Sequence, residues 1–121
     1  MARVRLLQIC YDEATLAALE PGFEPLDNRA NPRPDWREYW PIRTWLRAHA
    51  LEDDTYYGFF SPKFGAKTGL GAAAVAEFAA RQQAAVVSLS PFIDQSAFFL
   101  NAFEQGEANH PGLIDASEAF L

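Results

Sequence analysis

Val4, Leu6, Leu7, Ile9 and Cys10 form a nearly unbroken apolar run at the start of the chain. Such a run fits a strand covered on both faces and predicts β-structure over 3–10. The apolar positions then space out. Asp12 is placed to cap a short helix reaching about Glu20, with Leu16, Ala17 and Leu19 on its apolar side. Residues 21–34 hold Pro21, Gly22, Pro25, Asn28, Asn31, Pro32 and Pro34. That density of turn formers excludes a helix or a central strand and predicts a long ordered loop, a feature often tied to function.

Asp35 and Glu38 have capping-box spacing, and Ile42, Trp45, Leu46 and His49 share one face at intervals of three and four. Together they predict a helix over 35–49, with Pro41 either kinking it or opening its main part. The aromatic and β-prone run 55–60 predicts a second strand, in which Gly58 implies close approach of another backbone or a ligand. A loop with Lys63 and Lys67 follows, then an alanine-rich helix over 71–83 and a third strand over 84–90. Asp94 is placed to cap a helix to about Glu107, and Pro111 to open a last one. Strands alternating with helices give an α/β class. The expected form is a single domain over 1–121, a mostly parallel sheet with helices on both faces. In such sheets ligands bind outside the carboxyl ends of the strands, which brings Tyr11–Asp12, Ser61–Phe64 and Ser90–Asp94 to one rim.

Charge and composition narrow the function classes. The net charge is −6, which argues against a broad electrostatic grip on nucleic acid or an anionic membrane. The lone Cys10 excludes an internal disulfide and reads as a small buried apolar residue. No stretch approaches a membrane span, and the first residues lack the pattern of a signal peptide, so the cytoplasm is the expected compartment. His49 and His110 have no partner at zinc-ligand spacing, and no P-loop is present.

Four segments carry candidate chemistry. Asp27 and Asn28 suit the edge of a uracil or the hydroxyls of a ribose, and equally suit turns built on their own backbone. Trp36, Trp40 and Trp45 suit core packing, while Arg43 or Arg37 suits a diphosphate, whose oxygens match the guanidinium fork. Ser61 and Lys63 put a hydroxyl and an ammonium at a strand's carboxyl end. Asp94 suits a helix cap, or a carboxylate for sugar or metal.

Leu26-Asp27-Asn28, Asn31, Glu38-Tyr39-Trp40 and Tyr57-Gly58-Phe59-Phe60-Ser61-Pro62-Lys63-Phe64 together resemble the N-terminal half of bacterial glycosyltransferase-like proteins of polysaccharide and O-antigen gene clusters. These are distant relatives of GT-A transferases, and the resemblance runs over about residues 3–105. It implies a GT-A or Rossmann-like sheet and hexosyl transfer in polysaccharide or glycan synthesis. A nucleotide sugar would be the donor and a glycan the acceptor. It places Asp27 and Asn28 at the nucleoside, with Arg43, Ser61 and Lys63 near the diphosphate. GT-A enzymes usually hold Mg or Mn through Asp-x-Asp. The chain has no such motif, which puts a divalent cofactor in doubt. The family's domains are also longer, so the chain is expected to be a partial domain, with apolar surface over 98–121 that favours self-association. The competing expectation is a non-enzymatic α/β module that binds a protein partner through its aromatic surface.

Overall fold

A computed structural model of the chain describes residues 1–89 and 102–120, which divide into two compact units, Met1–Val87 and Ser88–Leu121. The first unit is built on three parallel strands: β1 (Arg3–Cys10), β2 (Glu24–Asp27) and β3 (Thr55–Phe60), in the order β2-β1-β3. Leu7 and Ile9 of β1 stand opposite Glu24 and Leu26 of β2, and opposite the other edge Arg3 stands beside Thr55 and Leu7 beside Phe59. The central position of β1 explains its apolar run, because both its faces and both its edges are covered.

Side chains alternate across a strand, so Leu7 and Ile9 share one face and Leu6 and Cys10 the other. On the first face Leu7, Ile9 and Leu26 form a buried cluster. Helix α2 (Tyr39–Ala48) packs over it with Ile42 and Trp45. Trp45 meets Tyr57 and Phe59 with ring centroids 5.7 and 5.6 Å apart, and the Arg5 guanidinium lies over it at 5.3 Å. Helix α4 (Ala72–Ala80) packs against β1 and buries Ala72, Val75 and Ala79. Gly22, at φ +99°, brings the chain so close to α4 that a Cβ there would stand 2.9 Å from that of Ala72. The Glu20 carboxylate accepts from the Ala72 N–H at 3.2 Å and so caps α4, whose own N-cap, Gly71, has no side chain to offer.

Helix α1 (Glu13–Ala17) starts as expected at Asp12, which forms a reciprocal capping box with Thr15. Pro41 lies in the first turn of α2, where the missing N–H breaks no helical bond. Residues 64–68, expected as loop, form the short helix α3 (Phe64–Thr68), ended by Gly69 in the left-handed conformation. The close approach implied by Gly58 is met by protein, not ligand. A Cβ there would lie 2.5 Å from the Phe60 ring and 3.1 Å from Leu6.

Two expectations about strands are corrected. The proline-rich loop contains β2, which tolerates Pro25 because it is an edge strand. The strand expected over 84–90 is absent over 84–89, and residue 90 lies outside the described residues. That segment lies exposed beyond α4, with Val86 83% accessible. It is tied to β3 by a side chain, the Tyr56 hydroxyl donating to the Ala84 carbonyl, and not by a backbone ladder.

In the second unit, helix α5 (Ala102–Asn109) packs against helix α6 (Leu113–Glu118). The Glu107 carboxylate accepts from the Gly112 and Ile114 N–H groups, both at 2.8 Å, and caps α6. The helix expected to begin at Asp94 falls mostly outside the described residues, which begin again at 102 and are helical from Ala102 to Asn109. No helix of the described residues is long and apolar enough to cross a membrane.

Candidate functional site

Parallel pairing brings the ends of all three strands, Cys10, Asp27 and Phe60, to one edge of the sheet. The Asn28 N–H donates to the Cys10 carbonyl at 2.8 Å, tying the chain after β2 to the end of β1. The Asn28 carbonyl in turn accepts from the Asn31 N–H at 3.1 Å, closing a turn with Asn31 at φ 41°. A single 3₁₀ turn (Pro34–Trp36) follows and ends on Arg37 at φ 48°, ψ −131°. Asparagine enters positive φ readily, whereas arginine does so at a cost on the order of 1–3 kcal/mol. Asn31 and Arg37 are the non-glycine residues at positive φ among the described residues. Both line the same cleft.

This cleft encloses about 320 Å³ and is lined by Ile9, Tyr11, Asn28, Asn31, Arg37 and Glu38, with Pro34. Asn28 is 9% accessible. Its side-chain amide makes no hydrogen bond among the described residues, yet no fully buried side-chain nitrogen or oxygen lacks a partner. The amide is therefore not wholly shut off from the surface, and Asn28 lines this cleft. Arg37 is exposed and makes no ion pair among the described residues, in contrast to Arg3, Arg5, Arg29, Arg33 and Arg81. The backbone at Arg37 is held by its neighbours. Arg33 pairs with Asp35 and lies 4.6 Å over the Trp36 ring, and Arg43 lies 5.6 Å over the same ring.

A second groove, of about 360 Å³, lies between the chain after β2 and helix α2 and shares Asn28 with the first. Leu26, Pro32, Trp40, Pro41 and Trp45 give it mostly apolar walls.

The residues expected to form the site separate into groups. The Asp27 carboxylate is committed to Arg29, accepting from Nε and Nη2 at 2.9 Å and from the Arg29 N–H at 3.0 Å. Arg29 also reaches Glu13 at 2.6 Å. These bonds hold the Asp27 carboxyl at about 2, so at neutral pH it is an occupied anion. Arg43 is half-buried against Trp36 and lines neither groove. Of the two arginines weighed as a phosphate partner, Arg37 is the one in the cleft. Ser61 and Lys63 follow β3, on the far side of β1 from Asn28, two strand spacings away or on the order of 10 Å. The Ser61 carbonyl accepts from Gln8 Nε2 at 3.2 Å and its hydroxyl from the Lys63 N–H at 3.2 Å. Lys63 is exposed, with no ion pair among the described residues. Asp94 lies outside the described residues.

Gln8 was not singled out from the sequence, although a glutamine inside an apolar strand is a signal for a buried hydrogen bond. Among the described residues no group of three or more His, Cys, Asp or Glu is placed to hold a metal. Burial pushes the Cys10 thiol up, in keeping with a packing role. No protein-family model, curated protein or solved structure matches this chain.

Proposed function

We propose that the carboxyl-edge cleft binds the donor of a glycosyl transfer, a nucleotide sugar, and that the sheet is the donor-binding part of a GT-A-like transferase. The observation that carries the reading is the meeting of Asn28 and Arg37 in one cleft. Among the described residues, the amide of the nine-tenths-buried Asn28 has no partner there and stands beside an Arg37 guanidinium without an ion pair, on a strained backbone. Buried polar groups are normally satisfied within the protein, so an unpartnered one lining a cleft is suited to a ligand. The guanidinium fork matches phosphate oxygens.

In the transfer, the oxygen of an acceptor hydroxyl attacks the anomeric carbon and its proton passes to water or to the departing diphosphate. The bond from that carbon to the phosphate oxygen breaks, and its electron pair leaves with the nucleoside diphosphate. Arg37 on one flank and Lys63 on the other neutralise the leaving diphosphate as its charge grows. Calorimetric titration of UDP- and GDP-sugars, with Mg²⁺ or with EDTA, tests the reading. Binding to the parent and a loss of 10- to 100-fold in Arg37→Ala are expected, from about 1.5–3 kcal/mol for a hydrogen bond to a charged group. Absence of binding by the parent in both conditions would sink it.

The aromatic surface favours a second reading, a partner-binding module. Tyr39 is 62% accessible and lies with its ring centroid 5.5 Å from that of Trp36. Dimerisation that ignores nucleotide sugars and is lost in Tyr39→Ala would support this reading instead.

A further inference from the structure

The second unit is almost purely acidic. It holds Asp94, Glu104, Glu107, Asp115 and Glu118 and no lysine or arginine, so nearly all of the net charge of −6 resides in it. Its two helices are also short of packing partners. α5 and α6 have eight and six residues, fewer than the roughly 12–15 that an isolated helix needs. Among the described residues from 103 to 120 none is buried. The helices meet where Leu113 lies against Gly106, so close that a Cβ there would stand 2.2 Å from the leucine's Cδ2 atom. Phe103 is one turn before Gly106 on α5. Phe120 is seven residues after Leu113, on the same face of α6, and its N–H continues the helical turn by donating to the Ser117 carbonyl at 3.1 Å. The contact at Gly106 therefore brings two apolar faces together, and Phe103, Leu113 and Phe120 all remain exposed. Glu104 and Glu118 fall to the sides of these faces at about 100° per residue.

We infer that the α5–α6 hairpin is a docking surface for a basic amphipathic helix of another protein, which covers Phe103, Leu113 and Phe120 and sets its lysines or arginines against the flanking carboxylates. Charge selects this occupant. An anionic membrane or a nucleic acid would be repelled, and a second copy would bring like charge against like. A basic segment is attracted. It also meets the negative ends of both helix dipoles, since neither α5 nor α6 has a basic residue in its last turn. A helix that lays an apolar stripe on a groove between other helices is a recurring mode of peptide recognition. Such a partner is separate from any ligand of the carboxyl-edge cleft, and either can exist without the other.

Fluorescence anisotropy of a labelled peptide with the intact chain provides the test. The probe is a helix-forming peptide of about 18 residues, with leucines on one face and lysines on the other. One control carries the same leucines with glutamates, and a second has the leucines and lysines in an order that leaves no apolar face. The lysine peptide is expected to bind at least 10-fold more tightly than either control, and more weakly as salt rises. Phe103→Ser combined with Phe120→Ser should lower its affinity at least 10-fold. Both rings are exposed, so neither change enters a core. Glu104→Lys combined with Glu118→Lys should raise the affinity for the glutamate peptide several-fold, a gain that an unfolded unit would not give. No binding of the lysine peptide overturns the docking surface outright. Equal binding by the serine variant, or equal binding of the peptide without an apolar face, reduces the contact to charge adsorption and overturns it too. Copies of the chain that associate at low salt tightly enough to exclude the peptide would assign the face to self-association instead.

Discussion

At Arg37 a strained backbone and the proposed binding role meet in a single residue. Glycine would adopt φ 48°, ψ −131° without strain. Arg37→Gly is therefore expected to raise the unfolding free energy by about 1 kcal/mol, the relieved strain less the extra chain entropy of glycine. It should lose anion binding as fully as Arg37→Ala, which keeps most of the strain. Urea unfolding beside calorimetry separates the two effects, and a destabilised Arg37→Gly would show that the turn is not strained. Lys63 and Lys67 form a second pair. Lys63→Ala should weaken nucleotide-sugar binding several-fold and Lys67→Ala much less, since only Lys63 directly follows the carboxyl end of β3. Asp12, Glu24, Asp27, Asp35, Asp54 and Glu107 are all held below their ordinary values by their partners, Asp27 furthest. The folded pKa of Asp27, about 2, lies below the ordinary 3.8, so its ion pair adds stability that is present above pH 4 and lost as the pH falls toward 2. The urea midpoint should fall less steeply over that window in Asp27→Asn, and less steeply in high salt, because the pair is exposed.

At the scale of elements, local signals were legible where one residue type decides the matter. Asp12 alone gave the start of α1, its partner Thr15 emerging only in the structure, and Asp12→Ala should cost about 1 kcal/mol of stability in thermal or urea unfolding. The run over 3–10 gave the central strand, because continuous apolarity survives only where both faces are covered. β2 was hidden because the prolines and turn formers of residues 21–34 outweigh its four residues, Glu24–Asp27, and a strand that short is decided by the edge of β1. The run over 84–90 misled for the opposite reason. Val86 and Val87 favour strand locally, but over 84–89 no neighbouring backbone pairs with them. At the site, Asn28 and the carboxyl edge were legible from the turn motif and the strand order. The choice between Arg37 and Arg43 was not, because it depends on which of the two stacks on Trp36. Gly58 remained ambiguous until Phe60 and Leu6 were seen to fill its space. Gly58→Ala is expected to cost on the order of 1–3 kcal/mol by overpacking.

Taken whole, the molecule is acidic, so the proposed anionic ligand would be held by local cations against the general field, and because Arg37 and Lys63 are exposed its affinity should fall as salt rises. The second unit exposes Phe103 at 58% and Phe120 at 94%. Apolar dye binding and association by sedimentation are therefore expected, and both should diminish in a Phe103→Ser, Phe120→Ser variant. The two borders of the sheet differ in a way that matters outside the native state. β2 is guarded by a proline and two carboxylates, whereas β3 reads Thr-Tyr-Tyr-Gly-Phe-Phe, with neither charge nor proline. Six such residues have the composition of a steric zipper and can recruit strands from other molecules when heating loosens the fold. Fibrils formed at high temperature should therefore carry 55–60 in their protease-resistant core and leave 24–27 outside it. A lysine in place of Tyr56 should lengthen the lag before they appear.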